Sequence, residues 1–330
     1  MKPLQPDVFY VDNTIVELIT TCPWLAYASV IRRRRPTDES AALRFGGFIH
    51  QALDYRYKQI GLGQSWSEGK MITLLDGLFR NTPLETEGWR NFDTAVKVVR
   101  AYNRRYCDGQ DFHKISTNPK TGLPYVEQPF ACDTGKVIRS RRIIYIGRID
   151  LKIIEPDHST FIVDTKTSSV LGDQTWADWA ISEQFRGYCW ADRECTGEEP
   201  TGYVINAIGA RDSIANAMFN EVTGQVEPIS AKSKAVPLEL VRQPFFTRVP
   251  GGQLDEWFEG MLNKVDMFLY LVDKCGDNPV LWETHRHHKH CIGKYGPCRF
   301  YNVCSLPRES REDALMSSGF KEDDWTPLYL

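Results

Sequence analysis

The chain has 330 residues, of which 42% are hydrophobic and 25% charged, and its formal net charge is -3. This excludes a collagen-like, low-complexity or disordered chain and fits one large or two small globular domains with a real core. The average charge marks no polyanion partner, but the charge is patchy: Arg32 to Arg35 run together, residues 136–148 hold five basic and no acidic residues, and residues 286–299 are basic again. Each run by itself reads as a solvated face. Residues 1–10 carry no apolar signal core, and no stretch is apolar for long enough to span a bilayer. The expected location is therefore cytoplasmic, away from any membrane, where nine cysteines stay reduced. An odd count also argues against a complete disulfide framework, which leaves the cysteines as small buried hydrophobes or metal ligands.

In chain order, residues 13–32 read as a helix interrupted near Pro23. Residues 41–60 read as a second helix, with Leu43, Ile49, Leu53 and Tyr57 at helical spacing, and 69–80 and 89–107 as further helices. Residues 117–124 hold Asn, Pro and Gly and read as a loop. The period then changes. Residues 125–132 form a short candidate strand. Residues 142–154 alternate, with Ile149, Leu151 and Ile153 on one face and Arg148, Asp150 and Lys152 on the other. A turn over 155–158 leads to a strand over 160–167, where Phe161, Val163 and Thr165 lie opposite Ile162, Asp164 and Lys166. Residues 176–194 read as a helix and 201–207 as a strand, while 211–250 give no clear period and leave room for a hairpin. An amphipathic helix over 254–272, a cysteine-rich segment and a polar tail over 308–330 complete the chain. Helices followed by strand-strand-strand-helix-strand predict an α/β core with a mixed sheet flanked by helices.

Asp164 and Lys166 are two apart on one strand and share a face, and Asp150 lies on the preceding strand across the turn. Carboxylates from two strands can meet on a hard cation such as magnesium, with Lys166 beside it to orient or deprotonate a water. A bound cation lowers the pKa of that water and stabilises charge on a phosphate under attack. By itself an Asp-x-Lys tripeptide on an exposed strand is common and carries no function.

In context it is more specific. Gly147-x-x-Asp150, then Asp164-Thr165-Lys166-Thr167, then Gln184-x-x-x-Tyr188 on a helix resemble the RecB-like branch of the PD-(D/E)XK nucleases. The resemblance implies a restriction-endonuclease-like fold, with Asp150, Asp164, Lys166, Gln184 and Tyr188 as catalytic residues. It also implies magnesium or manganese held by His50, Asp150, Asp164 and Thr165. His50 lies in Gly46-Gly47-x-x-His50 on an early helix, and Glu127 matches a weaker family habit as an additional candidate ligand. Outside that context, His50 reads as a helix-face filler.

Cys291, Cys298 and Cys304 are spaced C-x6-C-x5-C, and Cys22 precedes Pro23 far upstream. One early and three late cysteines resemble the iron–sulfur subgroup of that branch, which includes AddB-type and CRISPR-associated exonucleases. The resemblance implies a 4Fe–4S cluster on these four thiolates, clasping the two ends of the domain. Family spacing between the first two late cysteines is tighter, about C-x2-C. Zinc held by Cys298, Cys304 and the histidines of the run 285–290 is the rival, and no metal the third reading. Cys107, Cys132, Cys189, Cys195 and Cys275 read as structural.

The organisation expected from this is one nuclease domain. It comprises a helical region over 1–115 with Cys22 and His50, a core over 116–210, a helix and cysteine clasp over 211–307, and the tail. The implied activity is a metal-dependent DNA exonuclease on single strands or DNA ends, in repair, recombination, or phage or prokaryotic DNA processing. The chain has no G-x-x-x-x-G-K-[ST] phosphate loop, so a helicase or recombination protein is an expected partner. The rivals are a structure-selective or restriction-type endonuclease and a non-cutting iron–sulfur DNA-binding protein.

Overall fold

The structure, a computed structural model, describes residues 3–38, 40–82, 88–106, 112, 114–169, 173–210, 217–220, 226–228, 243–249, 251–293 and 296–324. Strand β1 (Val8–Val11) leads into α1 (Asn13–Thr21), which Asp12 starts by accepting the Ile15 N–H on its Oδ1 at 2.6 Å. Pro23 has no N–H to extend α1, so it begins α2 (Pro23–Ala26) at the first helical position, and a π-turn over Tyr27–Ile31 follows. Next come β2 (Arg34–Pro36), α3 (Ala41–Gly61), α4 (Glu68–Asn81) and α5 (Phe92–Arg105), the last two capped by the side chains of Ser67 and Asn91. The strands β3 (Lys114–Ile115), β4 (Val126–Ile138), β5 (Arg141–Ile154) and β6 (Thr160–Ser168) precede α6 (Asp173–Ala180), α7 (Glu183–Thr196) and β7 (Gly202–Gly209). A small hairpin, β8 (Ala217–Phe219) with β9 (Val226–Pro228), comes before β10 (Gln243–Arg248) and the long α8 (Gly251–Cys275).

The chain forms two compact units. The first comprises Met1–Glu39, Pro129–Arg148 and Gly251–Leu330. In it β1 pairs in parallel with the first half of β5, from Val8↔Arg142 to Val11↔Tyr145. Tyr27 stacks on Trp282 at 5.2 Å, and Phe9 packs on Phe268 at 5.9 Å. The second unit comprises Ser40–Gln128 and Ile149–Pro250. Its sheet is mixed: the second half of β5 is antiparallel to β6 and to β3, β6 is parallel to β7, and β7 is antiparallel to β10. One face carries Leu151, Ile153, Phe161 and Val163 into a core with Phe45, Ile49 and Leu53 of α3, Leu75 of α4 and Val98 and Val99 of α5. The architecture is thus α/β, a mixed sheet flanked by helices, as the change of period implied.

Several elements differ from expectation. The strand expected over 125–132 runs on to Ile138 and closes a hairpin to β5 through Arg139 and Ser140, both with positive φ (47° and 64°). Two left-handed residues make the turn that strand twist favours, but Arg-Ser lacks the Asn-Gly signature of that turn. The helix expected over 176–194 is two helices broken at Ile181 and Ser182, and the Tyr203 hydroxyl lies 2.9 Å from the carbonyl oxygens of both Trp179 and Ala180 at the end of α6. Within 211–250, the hairpin and β10 are described, while most of the segment, like Cys107 and Lys294, lies outside the described residues. The expected polar tail instead carries a helical turn over Arg311–Leu315, with Leu315 buried, and a strand Phe320–Glu322 paired with β2. Lys152, expected on a polar face, is 2% exposed. Among the described residues no helix is long and apolar enough to cross a membrane.

Candidate active site

The β5–β6 register runs from Ile154↔Thr160 to Leu151↔Val163 and ends there. Just past that end, the Thr165 N–H donates to Asp150 Oδ2 at 3.0 Å, so a carboxylate takes a donor on the splayed strand. Asp164 and Lys166 flank Thr165, with Lys166 Nζ 2.8 Å from Asp164 Oδ2. The Thr165 hydroxyl accepts from Asn206 Nδ2 at 3.2 Å, and Asn206 in turn lies among the buried hydroxyls of Tyr57 and Tyr102.

Helix α3 brings His50 to this point. Its Nε2 lies 3.1 Å from Asp150 Oδ2, 3.4 Å from Glu127 Oε1 and 3.4 Å from Asp54 Oδ1. The close approach of α3 depends on Gly46, where a Cβ would sit 2.6 Å from Thr167 Oγ1 on β6. Glu127 reaches the cluster from a left-handed backbone, with φ 53°, in the second residue of β4. Such a conformation is uncommon outside glycine and concentrates at functional positions. Gly147 leaves room for the Phe130 ring, since a Cβ there would meet Phe130 Cζ at 2.5 Å; that is the physical content of the glycine in Gly147-x-x-Asp150.

Charges in the cluster are strongly coupled through burial. Burial alone would push the His50 imidazole down, but Asp150, then Asp54 and Glu127, outweigh it and lift the pKa to about 10. Burial opposes ionisation of Asp150, yet His50, Lys166 and the Thr165 N–H hold its carboxyl below the usual range. Burial raises Asp164 to about 6, with Lys166 pulling down and Asp150 pushing up. Burial, with Glu127 and Asp150 nearby, raises Asp54 well above an ordinary aspartate. Burial works against charge on Lys166, but Asp164 and Asp150 raise its proton affinity.

A buried group of carboxylates around one imidazole is costly without a cation to balance it. His50, Glu127 and Asp150 each offer a ligand atom, all within 4.8 Å of one another, and they are the one such group among the described residues. Oxygen donors with one imidazole suit magnesium or manganese. Of the expected residues, the structure therefore brings His50, Glu127, Asp150, Asp164, Thr165 and Lys166 into one place. Gln184 Nε2 donates to the Tyr188 hydroxyl at 3.0 Å on α7, and Phe185, between them in sequence, has its ring 5.7 Å from Lys166 Nζ. Asp54 escaped the sequence analysis; its only signal is the i, i+4 spacing from His50, which puts both on one helix face.

The four cysteines lie in the other unit. Cys22 sits between α1 and α2 and accepts the His287 N–H on its Sγ at 3.4 Å. The Cys298 N–H donates to the Cys291 carbonyl at 2.8 Å. Burial pushes the Cys298 thiol up, and Cys22 and Cys291 add to that; the Phe300 N–H and Arg299 oppose it. Burial likewise pushes Cys304 to about 11, with Arg286 opposing and Cys298 and Cys291 reinforcing. Cys22 and Cys291 thus lie near enough to act on Cys298, and Cys298 and Cys291 on Cys304.

The β5–β6 ladder thus ends where Asp150 of β5 meets the Asp164-Thr165-Lys166 segment of β6. The PD-(D/E)XK nuclease superfamily model matches residues 14–260, more than half of the chain. The chain belongs to that superfamily, whose activity is that of a metal-dependent nuclease, with DNA as its substrate class. No curated protein matches the chain.

Proposed function

We propose that the chain is a magnesium- or manganese-dependent deoxyribonuclease that digests DNA from its ends, on single strands or frayed termini. The observation that carries this reading is the convergence of His50 Nε2, Glu127 Oε1 and Asp150 Oδ2 beside the Asp164–Lys166 pair. In this reading His50, Asp150 and Asp164 hold the cation, with Thr165 at its backbone and Glu127 as a further ligand. When bound, the cation activates a water and offsets charge building on the phosphate. Lys166, with Nζ 2.8 Å from Asp164 Oδ2, stands beside that cation to orient or deprotonate the water. Gln184 and Tyr188 present a polar helix face that positions substrate. A pure DNA-binding module has no need of Asp150, Asp164, Lys166 and Gln184 together, which disfavours a non-cutting role.

Cys22, Cys291, Cys298 and Cys304 would hold a 4Fe–4S cluster as a structural clasp, with Arg286 and Arg299 close to a passing phosphate backbone. In the cell the protein would act intracellularly in repair, recombination or phage or prokaryotic DNA processing, with a helicase or recombination partner to separate strands.

The test is digestion of end-labelled linear single- and double-stranded DNA and of a closed single-stranded circle, with and without manganese. Manganese-dependent loss of the linear strands with the circle intact supports an exonuclease. Cutting of the circle establishes the endonuclease reading instead. Iron and acid-labile sulfide in protein purified without oxygen support the cluster, whereas one equivalent of zinc replaces it.

A further inference from the structure

Lys152 and Asp192 form an ion pair of 2.8 Å in the interior, with the side chains 2% and 0% exposed. Glu198 approaches the same ammonium at 3.5 Å, and Lys152 Nζ lies 5.6 Å from the centre of the Tyr125 ring. The Tyr125 hydroxyl lies near enough to Asp192 for each to shift the other's ionisation, and the Lys152 N–H donates to the Tyr125 carbonyl at 3.0 Å. Burial outweighs Lys152 and raises the Asp192 carboxyl. A buried ion pair is a weak source of stability, because desolvation offsets most of the attraction and well-packed apolar residues often serve as well. In some proteins such a pair serves instead to hold one geometry.

The three members sit one structural repeat from three site residues. Tyr125 is two residues before Glu127, at the entry to β4. Lys152 is two residues after Asp150 on β5, and side chains at that spacing share a strand face. Asp192 follows Gln184 and Tyr188 at i+8 and i+4 on α7, so all three share one helix face.

We propose that Tyr125, Lys152 and Asp192 are positioning residues, a buried brace that fixes the Glu127 and Asp150 carboxylates relative to each other and to the Gln184–Tyr188 face. This rests on the reading of His50, Glu127 and Asp150 as the cation site. The brace acts through the backbone of β4, β5 and α7. Glu127 is the member most dependent on it, because its positive φ needs outside support. The brace contributes no ligand and no proton.

The test is manganese binding, read by calorimetry on the full chain without DNA, beside the cutting assay. The double variant Lys152→Met with Asp192→Leu removes both charges and keeps the volume. It is expected to fold with a melting temperature near that of the wild type, to bind manganese at least tenfold more weakly, and to lose kcat while KM for DNA changes less than twofold. Tyr125→Phe removes one hydroxyl and is expected to weaken manganese binding two- to fivefold. A folded double variant with wild-type manganese affinity overturns the brace. If the double variant does not fold, an unchanged affinity in Tyr125→Phe overturns it. Wild-type protein that binds manganese but cuts no DNA would sink the nuclease reading and leave the brace to be judged by binding alone. Wild-type protein that binds no manganese sinks both.

Discussion

His50 Nε2 lies 3.1 Å from Asp150 Oδ2, so a helix and a strand far apart in sequence supply neighbouring ligand atoms to one buried cluster. In the proposed site His50 is a cation ligand supplied from α3, beside Asp150 and Glu127. His50→Ala is therefore expected to raise the manganese needed for half-maximal cutting by on the order of 10–100-fold, with DNA affinity nearly unchanged. A metal titration of the folded variant checks this. An unchanged midpoint returns His50 to an ordinary helix face.

Asp164→Ala and Lys166→Ala should each cost cutting on the order of 10²–10³-fold without unfolding the chain. In the proposed site Asp164 holds the cation, and Lys166, with Nζ 2.8 Å from Asp164 Oδ2, stands beside it to orient or deprotonate the water. Circular dichroism with single-turnover kinetics separates the chemical effect from a folding defect. Wild-type rates in folded Asp164→Ala would refute this assignment.

With the proposed cluster in place, Cys22→Ala should destabilise the fold by about 2–5 kcal/mol, as loss of a long-range cross-link does. Cys275→Ala, which trims a buried thiol 4% exposed, should cost only about 1 kcal/mol. Chemical denaturation of protein purified without oxygen, alongside iron and sulfide analysis, makes the comparison. Equal losses would mean that Cys22 is only a packed residue.

Asp12 caps α1 while buried, and burial, with Asp323 adding to it and backbone N–H donors opposing, raises its pKa to about 6. The folded state thus holds the proton more tightly than the unfolded chain. Stability from this group is full below about pH 4 and is lost as pH rises through about 6. Asp12→Asn keeps an acceptor for the Ile15 N–H and removes the charge. It is expected to gain about 1–3 kcal/mol at pH 7 and nothing at pH 4. Denaturation curves at the two values decide; an equal effect at both would show that the charge is not the cause.

Gly147→Ala should cost about 1–3 kcal/mol, because its Cβ would meet the Phe130 ring at 2.5 Å. Gly47→Ala, on α3 with nothing within 4 Å of the added Cβ, should instead gain about 0.5–1 kcal/mol. Thermal melts of the two variants should move in opposite directions.

Local physics made much of this chain legible in advance. Helical spacing along α3, alternation along β5 and β6, and the missing N–H of Pro23 are properties of neighbours in sequence, so element types and the Asp164-x-Lys166 face could be read from residues alone. The spacing Gly147-x-x-Asp150 marked its glycine, though not the Phe130 ring that requires it. What only the tertiary structure decided are relations between distant residues. Asp54 joins His50 because α3 turns that face toward Asp150, and Glu127 reaches them through a left-handed backbone that its residue type does not announce. Lys152 looked like a surface lysine because alternation cannot distinguish a solvent face from one covered by α7. Strand β10 and the strand Phe320–Glu322 were missed because short edge pairings draw their order from partners far away, β7 and β2, rather than from a period of their own.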